Sequence, residues 1–413
     1  MKILVQKFGG TSLITEKSRH YVIDHIKNGI KKHKKVIVIV SALGRKPSPY
    51  ATDTLLSLVN YPNHHTSNRE LDLLMSTGEI ISSVVLSNEL RKQDVSTIAM
   101  TGSQAGIITT DEYTNAKIKH IHHRNLISKL ELYDVIVVAG FQGETISREM
   151  TTLGRGGSDI TASAIAAAVH AERIEIYTDV MGVMTADPKV VPRARPIKVA
   201  NYHEMKNLAY QGAKVIHPRA IEIAMKEQIP IKIKSTYLKD SGTIITTNQK
   251  KKQFDINEQF ITGITYKRDL SQFQINLKEK ETTLQTEIFK SISQKSITVD
   301  FIYISPTKLT FTIPKENTKQ VKDILSLLNI HPKITFNCSK ISIVGMDVSA
   351  NNLVISTIVE SLTDEGISIL QSADQYTSLS LLIDNEDLFK ALNNLHNALC
   401  LNNNYLKKRG EII

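Results

Sequence analysis

The feature that most limits how this chain can fold is an internal repeat in its last third. When Ile297 is placed over Ile367, an offset of 70 residues, apolar positions on both sides of this pair coincide. The coinciding pairs are Ile288 with Ile358, Leu309 with Leu379, Phe311 with Leu381, and Ile313 with Ile383. Repetition at a fixed spacing indicates that one structural unit is used twice. Each copy predicts the order strand, helix, strand, strand, helix, which is the order of a small ferredoxin-like α+β module.

The first part of the chain follows a different pattern, in which short apolar runs alternate with amphipathic or alanine-rich segments. Such alternation is typical of an α/β fold with a mostly parallel sheet covered by helices. The predicted strands are residues 3–7, 36–41, 97–101, 135–139, 173–178 and 231–234. Alanine-rich residues 158–170 predict a closely packed helix. The predicted domains are residues 1–247, a polar linker at 248–258, and two modules at 259–335 and 336–413.

The overall composition excludes several classes of protein. The formal net charge is +10, but apart from lysine-rich runs at residues 31–35 and 250–252 the basic residues are dispersed. Neither run has the interleaved aromatic residues of a nucleic-acid surface. Apolar stretches are far shorter than the roughly 20 residues that a bilayer span needs, and the first residues form no signal-peptide pattern. Cys338 and Cys400 are too few for a disulfide framework. We therefore expect a cytoplasmic protein that binds neither nucleic acid nor membranes.

A lysine and two glycines follow the first predicted strand in a pattern that suits phosphate binding. Lys7 stands at the carboxyl end of the strand, and Gly9 and Gly10 lie in the turn after it. Glycines allow backbone N–H groups to approach anionic oxygens, and a lysine neutralises charge on a transferring phosphoryl group. A turn that only reverses the chain explains these residues equally well. Residues 140–143, which begin and end with glycine, likewise fit a tight turn or a phosphate contact. Neither stretch matches a P-loop or a dinucleotide fingerprint.

A second glycine cluster opens the alanine-rich helix. Residues 154–157 contain three glycines and Arg155, and Ser158 and Asp159 follow them. An N-cap alone would need only Ser158 or Asp159, whereas adjacent glycines and an arginine indicate an anionic ligand close to the backbone. Farther along, His217 precedes a proline and is expected to cap a turn.

Taken together, these motifs resemble the signature stretches of the aspartate kinases, a family with the amino acid kinase fold. The match spans nearly the whole chain, and the matching stretches are Lys7-Phe8-Gly9-Gly10-Thr11-Ser12, residues 154–159, Tyr177-Thr178-Asp179-Val180 with Gly182-Val183, Thr185-Ala186-Asp187-Pro188 and residues 212–218. The tandem repeat independently resembles a pair of ACT modules, which usually bind a small metabolite. The resemblance implies a monofunctional aspartate kinase: an α/β/α sandwich of the amino acid kinase type followed by two regulatory modules.

The resemblance also implies roles for individual residues. The implied catalytic residues are Lys7, Asp159 and Lys214, with the aspartate organising both lysines around the transferring group. The implied ATP contacts are Lys7, Phe8, Gly9, Gly10, Thr178, Asp179, Met184, Lys189 and Lys214. The implied contacts to the substrate L-aspartate are Thr52, Glu79, Arg155, Gly156, Gly157 and Ser158. Among these, Glu79 suits the ammonium group of the substrate.

The implied reaction transfers the γ-phosphoryl group of ATP to the side-chain carboxylate of aspartate and gives 4-phospho-L-aspartate. A carboxylate is already ionised at neutral pH, so this nucleophile needs no general base. Positioning and electrostatics then provide the catalysis. Mg²⁺ should enter with ATP, held mainly by phosphates and water, because the sequence shows no carboxylate cluster that predicts a metal site of its own. The product would lead to lysine and diaminopimelate, threonine and methionine.

Some positions depart from the family pattern. Met184 stands where tyrosine is frequent, and Lys189 stands where arginine is usual. In the second module, residues 371–374 replace a stretch that forms the effector pocket of many lysine- or threonine-sensitive members, which makes Gln371 and Asp374 candidate effector contacts. The stretch is more similar to diaminopimelate-controlled members, so the expected effector is an end product: meso-diaminopimelate, lysine or threonine. Because ACT pairs usually complete their sheets across a dimer, we expect a homodimer.

Two other functions fit parts of the pattern. A related kinase that acts on glutamate, acetylglutamate, carbamate or uridylate would share the first domain, but the repeat and residues 7–12 favour aspartate kinase. A catalytically silent metabolite sensor would share the whole fold, but every charged residue assigned to phosphoryl transfer is present. Measuring ADP release with aspartate distinguishes an enzyme from a sensor.

Overall fold

The computed structural model describes residues 2–33, 35–213, 215–239, 242–247, 261–277, 282–295, 297–346, 348, 351–399 and 401. Lys214, Cys400 and the predicted linker at residues 248–258 lie outside the described residues. The chain forms two compact units. The first comprises Met1–Val183, Pro196–Tyr210 and Lys214–Ile256, and the second comprises Met184–Arg195, Gln211–Ala213 and Asn257–Ile413. Residues 184–195 and 211–213, which the sequence assigned to the first domain, thus belong to the second unit.

The first part of the chain alternates strands and helices, as the apolar pattern predicts. The elements are β1 (Ile3–Phe8), α1 (Glu16–His33), β2 (Lys35–Val40), α2 (Thr52–Ser57), α3 (Asn68–Arg91), β3 (Thr97–Met100), β4 (Ile107–Thr109), β5 (Ile118–Ile121), α4 (Arg124–Leu132), β6 (Val135–Ala139), β7 (Gln142–Glu144), β8 (Met150–Thr152), α5 (Gly157–Ala168), β9 (Arg173–Thr178), β10 (Val199–Asn201), α6 (Tyr202–Gln211), α7 (Pro218–Lys226), β11 (Ile231–Ser235) and β12 (Thr243–Thr246). All six predicted strands and the alanine-rich helix are confirmed.

Eight strands form the main sheet, in the order β10-β12-β11-β9-β1-β2-β6-β3. Every neighbouring pair is parallel except β11 and β12. The central strands are buried on both faces, which explains why they read as unbroken apolar runs. On one face, alternate residues such as Val36 and Val38 form a core with Val22 and Ile26 of α1 and Leu86 of α3. Helix α5 covers β1, β2 and β9 from the opposite face. The sheet is therefore sandwiched between helices.

A smaller sheet with the order β5-β4-β7-β8 lies beside the main one, and no sequence pattern predicted it. Its strands are only three or four residues long, too short to show an alternation. The buried carboxylate of Asp72 on α3 anchors this sheet. The carboxylate accepts hydrogen bonds from the backbone N–H of Thr114 (3.0 Å) and from that of Thr152 on β8 (2.9 Å). Burial raises the pKa of Asp72 although these hydrogen bonds oppose the shift.

The second unit contains two copies of the order predicted from the repeat. The elements are β13 (Ile261–Asn276), α8 (Thr282–Gln294), β14 (Asp300–Ile304), β15 (Lys308–Pro314), α9 (Thr318–Leu327), β16 (Lys333–Gly345), α10 (Asn352–Thr363), β17 (Gln371–Gln375), β18 (Ser378–Asp384) and α11 (Leu388–Ala398). Both copies contribute to one antiparallel sheet with the order β14-β15-β13-β16-β18-β17. The ferredoxin-like order of each module is confirmed. The sharing of a single sheet was not predicted.

The first strands of the two modules pair at the centre of this shared sheet. β13 and β16 run antiparallel from the pair Ile261 and Gly345 to the pair Gln274 and Lys333. Each module keeps a separate apolar core, one containing Phe273 and the other containing Leu381. None of the helices in the described part of the chain is long and apolar enough to cross a membrane.

Candidate active site

Four neighbouring parallel strands end at one edge of the main sheet. β1 pairs with β2 and with β9, and β9 pairs with β11, all in parallel register. Their carboxyl ends therefore meet, which is where ligands bind in open α/β sheets. The residues that directly follow these strands are Gly9, Ser41, Asp179 and Thr236. This edge, together with the first turn of α5, is the candidate active site.

Lys7 and Asp159 form an ion pair at the centre of this edge. Nζ of Lys7 lies 2.7 Å from Oδ1 of Asp159, and the two side chains are only 14% and 11% exposed. The other oxygen of Asp159, Oδ2, accepts a hydrogen bond from the backbone N–H of His217 at 3.3 Å. The carboxylate thus holds the lysine at the end of β1 and also fixes the start of α7. The sequence predicted that these two charged residues act together, and the structure places them in contact.

The two glycines after β1 serve different purposes. A Cβ atom on Gly10 would clash with the carbonyl oxygens of Ala42 and Gly44, so the fold requires glycine there. A Cβ atom on Gly9 would meet nothing closer than 3.9 Å, and one of its nearest neighbours would be Nζ of Lys7. Gly9 therefore leaves open space in front of the lysine, where a ligand oxygen would fit.

The second glycine cluster forms the amino end of α5. Gly156 adopts a left-handed conformation with φ of 73°, and a Cβ there would clash with the ring of His217. The hydroxyl of Ser41, at the end of β2, donates a hydrogen bond of 3.0 Å to Oγ of Ser158. Arg155 is exposed. A helix amino end carries positive potential, and Arg155 adds to it, so this end attracts an anion.

Glu79 is buried in the middle of α3, and no described residue forms an ion pair with it. Its side chain accepts one hydrogen bond, from the backbone N–H of Ala42 to Oε1 at 3.0 Å, while Oε2 has no hydrogen-bond partner among the described residues. Burial raises the pKa of Glu79 to about 8, although the bond from Ala42 opposes this shift. A buried carboxyl with one unused oxygen is suited to receive an ammonium group.

The loop after β2 connects the glutamate to the glycine turn. The carbonyl of Ala42 packs against Gly10, and Gly78, next to Glu79, packs against the side chain of Ala42 and the carbonyl of Tyr50. Thr52 is the first residue of α2, directly after this loop, and it is partly exposed. The structure therefore brings the Gly9–Gly10 turn, Glu79 and the segment before Thr52 into one neighbourhood.

Thr178 and Asp179 lie at the end of β9, on the other side of β1. The hydroxyl of Thr178 donates to Oδ1 of Asp179 at 3.1 Å, and Asp179 also lies 3.6 Å from the guanidinium of Arg45. Phe8 is fully buried and its ring stacks on Tyr177 at 4.6 Å between centroids. Phe8 is thus a packing residue that fixes the start of the glycine turn, and any contact it makes with ATP would come from its backbone.

Other predicted site residues cannot be placed at this edge. Lys214 lies outside the described residues. Met184, which is partly buried, and Lys189, which is exposed, belong to the second unit. The candidate effector residues are on β17: Asp374 is exposed, whereas the side-chain amide of Gln371 is engaged in hydrogen bonds within the second unit.

Sequence reasoning missed several residues that build the site. Ser41 and Ala42 contact Ser158 and Glu79, yet the sequence marks them only as the end of a strand. The predicted capping role of His217 is confirmed, since its Nδ1 accepts the backbone N–H of Arg219 at 3.2 Å. Burial lowers the pKa of His217 below its usual value, although the carboxylate of Asp159 opposes this shift.

The arrangement as a whole suits binding of a phosphate chain beside a small zwitterion. Lys7 and the backbone amides of the Gly9–Gly10 turn favour phosphate oxygens, the amino end of α5 favours a carboxylate, and Glu79 favours a cation. Within the described ranges, no group of three or more His, Cys, Asp or Glu side chains could hold a metal ion. Gly140 is a packing position, because a Cβ there would lie 2.8 Å from Ile39 and 3.0 Å from Ser158.

Comparison with known proteins gives the family to which the chain belongs. The amino acid kinase family matches residues 2–235, and an ACT domain matches residues 333–397. Aspartokinase 1 of Bacillus subtilis is 47% identical over 397 residues, which cover 96% of this chain and 98% of that protein. The aspartokinase of Geobacillus stearothermophilus is 36% identical over 409 residues, which cover 97% and 98% of the two chains.

Solved structures share the fold. Aspartokinase III of E. coli, in complex with aspartate and ADP, has a TM-score of 0.79 at 24% identity and covers 97% of this chain and 100% of its own. The aspartate kinase of Clostridium acetobutylicum has a TM-score of 0.78 at 23% identity, with 96% and 100% covered. These two similarities concern the fold. The two sequence relatives match at higher identity over nearly their whole lengths, and on that ground the chain belongs to the aspartokinases of the amino acid kinase family.

Proposed function

We propose that Lys7, Asp159 and Glu79 are the central residues of an aspartate kinase site in this chain. Family membership gives the reaction, which is transfer of the γ-phosphoryl group of ATP to the side-chain carboxylate of L-aspartate. The observation that carries the residue roles is the Lys7–Asp159 ion pair, because it holds a cation beside the open space at Gly9. A transferring phosphoryl group develops charge that such a preorganised cation stabilises.

The amino acid would be bound by groups on both sides of that cation. Glu79 would receive the ammonium group, since its Oε2 has no other hydrogen-bond partner among the described residues. Arg155, Ser158 and the backbone of Gly156 and Gly157 at the amino end of α5 would receive carboxylate oxygens. Thr52 would complete the site from α2. These groups distinguish an amino acid with two carboxylates from a simple carboxylic acid.

In the chemical step, a side-chain oxygen of aspartate forms a bond to the γ-phosphorus while the bond to the β,γ-bridging oxygen breaks. ADP leaves, and the product is an acyl phosphate. No proton moves, because the attacking carboxylate is already ionised. Lys7, and Lys214 by resemblance, would neutralise the negative charge that accumulates on the transferring oxygens. Asp159 would keep Lys7 oriented toward them.

ATP would lie with its phosphates against Gly9 and Gly10 and its nucleoside toward Thr178 and Asp179. Met184 and Lys189 are assigned to the nucleoside by resemblance. The space in front of Gly9 and the cation beside it fit a phosphate chain. Mg²⁺ bound to that chain would neutralise part of its charge, held mainly by phosphate oxygens and water.

The test is ADP release by the purified full-length chain. We expect turnover with L-aspartate and at least about tenfold less with L-glutamate, since one added methylene displaces the reacting carboxylate. Turnover that is equal for both acids would contradict the proposed substrate site. Absence of ADP release with every acid, despite ATP binding, would favour the sensor function.

We also propose a homodimer formed through β14. This strand is at an edge of the shared sheet, and its residues Ile302, Tyr303 and Ile304 are 50%, 54% and 53% exposed. Three consecutive exposed apolar residues on an edge strand favour pairing with a second copy. Light scattering should give a dimer mass for the native chain and a monomer mass for Tyr303→Lys. The control Tyr376→Lys changes another exposed tyrosine of this unit and should stay dimeric.

The second unit is proposed to bind an end product, with Asp374 and Gln371 as contacts. We expect inhibition by meso-diaminopimelate, and less by lysine or threonine. Full activity with millimolar amounts of all three, together with no heat of binding, would contradict this.

A cytoplasmic location belongs to the same proposal, because ATP is available there and the free thiol of Cys338 would stay reduced.

A further inference from the structure

Two short segments that lie between strands and helices of the first unit are structural parts of the second unit. They are residues 184–195, between β9 and β10, and residues 211–213, at the end of α6. The first begins five residues after Asp179. The second ends at the residue before Lys214 in sequence. Each segment thus adjoins a residue that is assigned to ATP or to catalysis.

The longer segment contributes to the apolar core of the second module. Ala186 and Val191 are 5% and 2% exposed, and they belong to the same core as Leu388 and Leu395 of α11 and Ile341 of β16. Hydrogen bonds join the two ends of the segment. The N–H of Thr185 donates to the carbonyl of Arg195 at 2.9 Å, and the N–H of Arg195 donates to Oγ1 of Thr185 at 3.1 Å. A segment built in this way has little freedom to move apart from that core.

Buried hydrogen bonds fix this segment to α11. Oγ1 of Thr185 lies 2.9 Å from Nε2 of His396, and both residues are almost completely buried. Nδ2 of Asn393 donates to the carbonyl of Val190 at 3.1 Å. Burial, together with the positive charge of Arg195, lowers the pKa of His396 to about 4, so the imidazole is neutral at pH 7. A neutral imidazole in this position is suited to a hydroxyl partner.

Strand β13 contacts both segments. The backbone N–H of Ile264 donates to the carbonyl of Thr185 at 2.7 Å, and the hydroxyl of Tyr266 donates to Oδ2 of Asp187 at 3.2 Å. The carbonyl of Tyr266 packs so closely on Gly212 that a Cβ there would clash with it. Gly212 has φ of 134°, which also favours glycine. One residue of β13 therefore touches the segment after Asp179 and the segment before Lys214.

We propose that Thr185, Tyr266 and His396 are positioning residues for the ATP side of the active site. Through residues 184–195 they would hold the chain that follows Asp179, and through Gly212 the chain that precedes Lys214. This inference rests on the proposed function, because it takes the assignment of Asp179, Met184 and Lys214 from there.

The test compares substitutions in this set with a matched control. Thr185→Val keeps the shape of the side chain and removes the hydroxyl that contacts His396. Tyr266→Phe removes only the hydroxyl that contacts Asp187. The control Thr318→Val makes the same change of side chain and removes a hydrogen bond of similar length, 2.8 Å from the Thr318 hydroxyl to Ser271, in the first module. Each variant is measured as the full chain, for kcat, for KM of both substrates, and for ATP affinity by calorimetry without aspartate.

We expect Thr185→Val to raise the KM and the Kd of ATP by roughly threefold to tenfold, the range of one lost hydrogen bond. The KM of aspartate should change by less than about twofold, within the error of unrelated substitutions. Tyr266→Phe should act in the same direction and, because its hydroxyl is exposed, should fold even if Thr185→Val does not. The control should leave ATP affinity unchanged.

Equal effects of the control and of the two test variants would overturn the proposal, and so would unchanged ATP affinity in both test variants. The calorimetric measurement separates this outcome from failure of the proposed function. If the native chain binds ATP but does not phosphorylate aspartate, the proposed reaction fails while the effect of Thr185→Val on ATP binding still decides this inference.

Discussion

The ε-amino group of Lys7 lies 2.7 Å from a carboxylate oxygen of Asp159, so one ion pair joins the end of β1 to the first turn of α5. The lysine belongs to the glycine turn that precedes α1, and the aspartate belongs to the second glycine cluster. Two motifs that are separated by about 150 residues in the sequence thus form one cationic site. In the proposed function, the phosphoryl group is transferred beside this pair.

Replacing Lys7 by alanine should lower kcat at least about 100-fold, as removal of one preorganised electrostatic contact does. The protein should remain folded by circular dichroism. Lys35→Ala is a matched control, because Lys35 also forms an ion pair, with Asp134 at 3.0 Å, but at the opposite end of a neighbouring strand. Near-normal turnover of the Lys7 variant would show that the phosphate site lies elsewhere.

The two glycines of the first turn should respond differently to alanine. Gly10→Ala should lower the free energy of unfolding by about 1–3 kcal/mol, because its Cβ would overlap two carbonyl oxygens. Gly9→Ala should leave the melting temperature nearly unchanged and raise the KM of ATP, since its Cβ would occupy only the space reserved for a phosphate. A large loss of stability in Gly9→Ala would mean that this space is structural.

Glu79→Gln should raise the KM of aspartate by about tenfold to 100-fold, the range of a lost hydrogen bond to a charged group. The KM of ATP should barely change, because ATP carries no ammonium group. Glu204→Gln is the control. Glu204 is also buried, but its carboxylate accepts a hydrogen bond from the backbone N–H of Asn201, the last residue of β10, directly before α6. If both substrate constants rose together, Glu79 would not be an aspartate contact.

The raised pKa of Glu79 predicts that aspartate binding depends on pH. Below about pH 8 the free enzyme carries a proton on Glu79 that must leave before the carboxylate can pair with an ammonium group. Binding therefore releases a proton, and aspartate affinity should rise by up to about tenfold per pH unit below pH 8 and level off above it. Calorimetry in buffers of different ionisation enthalpy measures the number of protons released on aspartate binding. Glu79→Gln should abolish the release.

The raised pKa of Glu79 should also make the stability of the folded protein depend on pH. Stability should fall as pH rises, whereas aspartate affinity should rise. Between its ordinary value of 4.5 and about 8, the folded chain holds a proton on Glu79 that the unfolded chain has lost. Stability then falls as pH rises through this window. The melting temperature of Glu79→Gln should fall less than that of the native chain between pH 5 and pH 8. An identical pH dependence of the two proteins would contradict the raised pKa.

The sequence predicted those parts of the fold that local pattern determines. The six strands of the first domain are apolar runs buried on both faces, and the repeat predicts both modules of the second unit. Lys7 and Asp159 stand beside glycines at a strand end and a helix start, which made them candidates, and the resemblance to the aspartate kinases then implied their roles. Such features depend on residues that are close in the sequence.

The features that were not predicted depend on residues far apart. Whether β13 and β16 share one sheet is decided by strand pairing across the two modules, which no local pattern records. The unused oxygen and raised pKa of Glu79 come from burial by the loop after β2. Residues 185–188 match a family motif of the first domain, but the apolar side chains of Ala186 and Val191 complete a core whose other members lie between Ile261 and Leu401. Sequence proximity therefore placed this segment in the wrong unit.

The contact between Thr185 and His396 also determines when the protein can complete its folding during synthesis. The two residues are 211 positions apart. At about 5–20 residues per second, a ribosome needs about 10–40 s to make the intervening chain. Even after β12, the last strand of the main sheet, has been made, Ala186 and Val191 still lack the part of their core that α11 contributes. These two side chains are therefore fully packed only when α11 emerges, and a chain released early would expose this apolar segment to chaperones and proteases.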